Sequence, residues 1–212
     1  SEEFKINNSN SFEFIKKLEN ELSDFENIRV KKNFSIIGIH DHSYLIGSEN
    51  MEQMERNSQS SIRQRLWRIR AKHVILATGA IERPLVFAGN DIPGVMLCSA
   101  ALEFYKLYGL SPGDRVVVLT NNDSAYSSVI ELFNAGISVP LVIDVREKSD
   151  GNLPLKAKKL GIRVEFSKAI SKVIGKKKVK AVELCSVVGE GAVLETIICD
   201  SVLMSGGWTS TL

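Results

Sequence analysis

Between an apolar run and a helical pattern, residues 119 to 126 read LTNNDSAY. A dinucleotide-binding unit carries G-x-G-x-x-G at this place. Its glycines permit the tight turn, let backbone amides approach a pyrophosphate and let the helix pack on the strand. Here the loop has no glycine. Asn121 and Asn122 tolerate left-handed backbone and Ser124 is small, but Asp123 sets a carboxylate where phosphate would sit, and like charges repel. Asp144, at the end of the next apolar run, has the spacing of the acidic residue that accepts ribose hydroxyls, about 20 residues after the loop. Two readings stay open: a working nucleotide site, or a relic in which Asp123 and Ser124 cap a helix N-terminus.

Two further strands end in small residues and glycine, at Ala77-Thr78-Gly79 and at Ser205-Gly206-Gly207. Such ends let a backbone approach a ligand, or simply turn the chain. Arg83 is placed to pair with a phosphate or carboxylate, or with a neighbour such as Asp91 to hold a connection between domains. Trp208 is suited to stacking on a ring or filling a domain interface. His40 and His42 share one face of a strand, two ligands' worth of a zinc site with no third nearby, so a polar hairpin surface is expected and a metal is not. Cys98 opens a helix, where a thiol pKa can fall, but burial as a small apolar residue is the expected reading. Lys176, Lys177 and Lys178 sit at a hairpin turn as a solvated charge run. No catalytic acid, base or nucleophile stands out.

These residues need elements to hold them. SFEFIKKLENELSDF, residues 11 to 25, puts Phe14, Ile15, Leu18, Leu22 and Phe25 at helical spacing. Short strands are expected at Ile28 to Val30, around Ile37 and Ile39, and from Tyr44, with a polar loop over residues 49 to 61. Leu66 and Ile69 lead into a run from Val74 to Ala77 that reads as a buried strand. From Ala101 the order is helix, Pro-Gly-Asp turn, strand at Val116 to Leu119, helix of about 12 residues, strand at Leu141 to Ile143, helix near Leu153 to Leu160, and strand to Phe166. Hairpin strands follow, turning at Gly189-Glu190-Gly191, and a buried strand runs from Ser201 to Met204.

With 44% hydrophobic and 25% charged residues in 212, the chain can bury a sizeable core as one large or two small domains. A net charge of +2 with interspersed signs gives no pull toward nucleic acid. No apolar run reaches the roughly 20 residues of a membrane span and the first residues lack a signal-peptide layout, so a cytoplasmic address is expected. Three cysteines without paired spacing argue against disulfide scaffolding and dithiol chemistry.

RLWRIRAKHVILATGAIERPLVFAGNDIPGVML, TNNDSAY, VIDVRE and SGGWTSTL, in this order, resemble the α subunit of heterotetrameric sarcosine oxidase and related amine and opine oxidases. The resemblance spans most of residues 28 to 212. It departs locally at His40 to Ser43, where the family tends to have Tyr-Asp-His-Asn, and at Ser210, where proline is usual.

The resemblance implies an α/β, Rossmann-like FAD/NAD(P)-binding two-domain fold of the pyridine nucleotide-disulfide oxidoreductase type, with the first domain incomplete. Residues 1 to 97 would belong to that first domain, 98 to 200 to an inner NAD-type domain, and 201 to 212 to a strand returning to the first. It also implies amine oxidation at a flavin on a partner β subunit, smaller subunits beside it, and a small amine substrate. NAD, or alternatively FAD, would be held in the α subunit, and this stretch alone need retain none. Carried over by motif, Val30 would lie by the adenine, and Ala77, Thr78, Gly79, Arg83, Ser205, Gly206, Gly207, Trp208 and Asp144 would be the cofactor-facing set. The alternative is a non-catalytic module that docks a flavin-bearing partner and binds no nucleotide.

Overall fold

The computed structural model describes residues 5–6, 9–51, 63–189 and 191–211. It divides into two compact units, Ser1–Ala77 and Thr78–Leu212.

In the first unit, β1 (Lys5–Ile6) and β2 (Ser9–Asn10) form a short antiparallel pair, followed by α1 (Ser11–Ser23). Three strands, β3 (Phe34–His40), β4 (Tyr44–Asn50) and β5 (Gln64–Arg70), then make an antiparallel sheet in that order. His42 and Ser43, at φ 60° and 53°, turn β3 into β4. The sheet is pinned by Glu49, only 3% exposed. Its carboxylate accepts from Lys31 Nζ at 2.7 Å and Trp67 Nε1 at 2.7 Å, and Arg65 stands 3.7 Å away. These donors, Lys31 first and Trp67 second, hold the Glu49 pKa below its ordinary value.

Apolar cover in this unit is thin. Leu45 and Met51 are its buried apolar side chains among the described residues, while Ile15, Leu18, Leu22, Ile37 and Ile39 are exposed. Residues 28 to 30 form no strand, and neither does the expected buried run from Val74 to Ala77: Ile75 is 92% exposed. The apolar pattern there is that of a strand, but among the described residues none pairs with it. Unpaired extended backbone stays with water. The expected loop at 49 to 61 lies mostly outside the described residues, its first two positions being the end of β4.

The second unit is built on a parallel sheet. In chain order it contains β6 (Ala80–Glu82), β7 (Val95–Leu97), α2 (Cys98–Tyr108), β8 (Arg115–Thr120), α3 (Ser124–Asn134), β9 (Ser138–Asp144), α4 (Asn152–Lys159) and β10 (Val164–Phe166). β11 (Lys168–Gly175), β12 (Val179–Ser186), β13 (Val193–Ile198), β14 (Ser201–Ser205) and β15 (Trp208–Ser210) complete it. Five strands pair in parallel in the order β10-β9-β8-β14-β7. β11, β12 and β13 form an antiparallel sheet, and β15 pairs with β6.

Alternation along β8 explains the layering. Val116 and Val118 face the helices, packing with Cys98, Ala101, Tyr126, Val129 and Leu132. Val117 and Leu119 face the antiparallel sheet, packing with Val173, Val182, Leu184 and Val202. A strand buried on both faces reads as a continuous apolar run, as VVVL does. The result is three layers: helices, parallel sheet, antiparallel sheet.

The sequence boundary at 97/98 falls inside this unit, between β7 and α2, because β7 pairs with β14. β14, expected to return to the first domain, lies between β8 and β7, where an all-apolar VLM core suits a central strand. Among the described residues no helix is long and apolar enough to cross a membrane.

Candidate functional site

In an open α/β sheet the natural ligand crevice lies beyond the carboxyl ends of the strands, where the connections leave in opposite directions. Here that point is β8, whose neighbours are β9 on one side and β14 on the other. The residues beyond these three ends are Asn121 to Ser124, Asp144 to Arg146, and Ser205 to Trp208.

Side chains of the loop fill this place. Asn122 Nδ2 donates to Ser205 O at 3.2 Å and Ser205 Oγ at 3.0 Å. Asn122 Oδ1 accepts from Ser124 N at 3.1 Å and from Ser124 Oγ. Asn121 donates from its backbone N to Ser205 O and from Nδ2 to Gly206 O, both at 3.3 Å. Trp208 Nε1 donates to Ser124 Oγ at 2.8 Å. The asparagines thus do within the chain what glycine-exposed amides do toward a phosphate. The first turn of α3 is capped by Asn122, since Asp123 makes no side-chain cap.

Asp144 is wholly buried at the end of β9, opposite Thr120. Tyr126 Oη donates to it at 2.8 Å, and Arg146 grips it through Nε at 3.0 Å and Nη2 at 2.7 Å. Arg146 Nη2 also reaches Asp123 at 2.7 Å. Burial and then the Asp144 contact push the Tyr126 phenol pKa far up, and Asp144 holds Arg146 charged. Neither group is poised to exchange protons near neutrality.

A second cluster of sequence candidates meets along β6 and β15. Gly206 N donates to Arg83 O at 2.7 Å, and Arg83 N donates to Gly207 O at 2.8 Å. A side chain at Gly206 would meet the Arg83 and Pro84 carbonyls at 3.0 Å, so this glycine serves a close approach of the chain to itself. Thr211 Oγ1 donates to Thr78 O at 3.0 Å, beside Gly79 with φ 78°. Thr78, Gly79, Arg83, Ser205, Gly206, Gly207 and Trp208 are therefore brought together, with Arg83 joining through its backbone. Its side chain is exposed and makes no ion pair with Asp91 or any other described residue. Asp144 stands across the crevice. Val30 and Ala77, both exposed, belong to the first unit.

Three polar residues escaped sequence reasoning. Arg146 was legible as the basic residue two places after Asp144, although nothing in the spacing shows that it folds back. Tyr126 reads as one more apolar helix position. Glu82, 4% exposed, accepts from Ser99 N at 2.8 Å and Ser99 Oγ at 2.6 Å, and so caps α2 from another element. Cys98 is fully buried, and burial followed by the Glu82 charge raises its thiol pKa. His40 lies against Tyr44 at 5.9 Å. Among the described residues no three His, Cys, Asp or Glu side chains are grouped to hold a metal.

No family model matches the chain. Sarcosine oxidase subunit alpha of Rhizobium meliloti (strain 1021) is 34% identical over 197 residues, 92% of this chain and 19% of that protein. The chain is similar to a segment of sarcosine oxidase subunit alpha. The Corynebacterium sp. (strain P-1) protein of the same name is 39% identical over 128 residues, 59% of this chain and 13% of that one. The chain thus spans a fifth or less of the length of these sarcosine oxidase relatives, and the resemblance carried by the ATGAIERP and SGGWT stretches is borne out. Among solved structures, T. acidophilum thioredoxin reductase superposes with a TM-score of 0.63 at 18% identity, over 94% of this chain and 60% of that one. An FAD-dependent pyridine nucleotide-disulphide oxidoreductase from Desulfovibrio vulgaris gives 0.54 at 14% identity, over 84% and 43%. These likenesses bear out the fold: α/β with a parallel sheet, of the pyridine nucleotide-disulfide oxidoreductase type.

Proposed function

We propose that the chain is a nucleotide-binding segment of a sarcosine oxidase-like α subunit. The complex would oxidatively demethylate sarcosine or a related secondary amine, with the amine chemistry on a flavin-bearing partner subunit. The observation that carries this reading is 34% identity over 92% of the chain to a sarcosine oxidase subunit alpha. The fold supports it, being one used by FAD- and NAD-linked oxidoreductases. NAD is the proposed cofactor and FAD the alternative, approached in the second unit by Thr78, Gly79, Gly206, Gly207 and Trp208. The uncovered apolar faces of α1, β3 and residues 74 to 76 support assembly with further segments or subunits.

A second reading is favoured by the filled crevice: a module that docks a flavin-bearing partner and binds no nucleotide. Native mass spectrometry of the 212-residue chain, with titration of NAD and FAD, separates the two. A bound or saturably added dinucleotide supports the first. Absence of both, in a chain that still assembles with the flavin-bearing subunit, supports the second.

A further inference from the structure

The crevice between β8, β9 and β14 is occupied by the chain's own groups in the positions a dinucleotide would use. In a working unit, loop amides meet the pyrophosphate and the carboxylate ending the second strand meets the ribose. Here three of the loop amides are spent: Asn121 N on Ser205 O, Asn122 N on Thr120 Oγ1 at 3.1 Å and Ser124 N on Asn122 Oδ1. The carboxylate is spent as well. A carboxylate offers about four acceptor sites. Asp144 Oδ1 accepts from Arg146 N at 3.1 Å and Nε at 3.0 Å, and Oδ2 from Tyr126 Oη and Arg146 Nη2. Nothing is left for a ribose hydroxyl. The same Nη2 bonds Asp123, which Ser149 Oγ also supports at 3.0 Å. One guanidinium therefore joins the carboxylate of the phosphate loop to the carboxylate of the ribose position.

We infer that Arg146 is a built-in lock that takes the place of the adenosine ribose, so that the inner crevice is closed to dinucleotides and any the chain holds lies elsewhere. The inference deepens the proposed function and rests on it only for the identity of the ligand. Asp144 then positions Arg146 and does not touch cofactor, and Asp123 holds the lock at the loop. One loss and two additions argue for one device: the loop lacks glycine, it carries an anion, and a cation bridges it to the acidic residue.

Hydrogen exchange of the 212-residue chain with and without NAD, FAD and ADP-ribose tests the lock. Peptides covering residues 119 to 126 and 141 to 150 should exchange alike in all conditions. Ligand-dependent protection there in the unaltered chain overturns the inference, whatever any variant does. A double variant, Asp123→Gly with Arg146→Ala, should bind ADP-ribose at least about tenfold more tightly than the unaltered chain and gain protection in those peptides. A variant that keeps its near-ultraviolet circular dichroism but gains no binding also overturns it; if it does not fold, the exchange of the unaltered chain decides. Failure of the proposed function reads out separately, as lack of any dinucleotide-dependent protection at residues 78 to 84.

Discussion

β8, at the centre of the parallel sheet, and β3, at the edge of the three-stranded sheet, both carry an apolar run and differ in what covers them. Val116 to Leu119 are buried on both faces, by helices on one side and an antiparallel sheet on the other. On β3, Ile36, Ile37 and Ile39 remain exposed, as do most apolar positions of α1. Both stretches carry enough apolar residues to make a core, but only the second unit supplies the opposing layers. Apolar patterning specifies which face is to be buried; it does not supply the cover. The second unit should therefore carry the cooperative stability of the chain, with the first responding separately.

Leu203→Ala probes this contrast most strongly. Leu203 is fully buried in β14, and its truncation should cost about 3 kcal/mol in denaturant unfolding of the second unit. A loss under about 1 kcal/mol would mean that this core is loosely packed. Glu82→Ala removes the carboxylate that caps α2 and should cost about 1 to 2 kcal/mol in the same transition. No effect would separate β6 energetically from the unit it caps.

The first unit has its own reporter in Glu49 beside Trp67. The folded carboxyl pKa lies below its ordinary value of 4.5. Its ion pairs therefore stabilise fully above that value and are lost as pH falls through the depressed folded pKa. In a Trp208→Phe background, Trp67 emission should change in acid before the second unit unfolds. Glu49→Gln should abolish the step, and a step that survives in Glu49→Gln assigns it to another group. The smallest effect is expected from Ile75→Ser. At 92% exposure this change should alter stability by no more than about 0.5 kcal/mol while reducing self-association of the chain. A larger destabilisation would show that the segment is packed in solution.

The thiols sharpen the same division. Cys98, Cys185 and Cys199 are all buried in the second unit, and Cys199 is pushed up to about 11, chiefly by burial. Labelling should follow global opening of that unit, and proteolysis confined to the first unit should leave all three unlabelled. Labelling at native rates would point to local opening of the helical or antiparallel layer.

Much of the second unit was legible because its signals are local. VVVL and PLVI are bounded runs between helical patterns, and Gly109 at φ 66° closes α2 where the apolar spacing ends. The neighbour of β14 was not legible, since strand order depends on which long connection returns where. The run from Val74 to Ala77 misled for a related reason: its composition is that of a buried strand, yet burial needs a partner. At the candidate site, the missing glycine and the carboxylate of Asp123 could be read directly. The closing of Arg146 over Asp123 and Asp144 could not, because a two-residue separation along the chain says nothing about where a long side chain ends. Glu82 was hidden in the same way, its partner Ser99 being 17 residues distant.

The pairing of β6 with β15 carries one more consequence. Ala80 stands opposite Ser210, and Thr211 N donates to Gly79 O at 3.3 Å, so the strands bounding the second unit lie side by side. The roughly 130 residues between Ala80 and Ser210 are thus closed at their own neck, and a pull on the chain at either strand loads that short ladder before it reaches the parallel sheet.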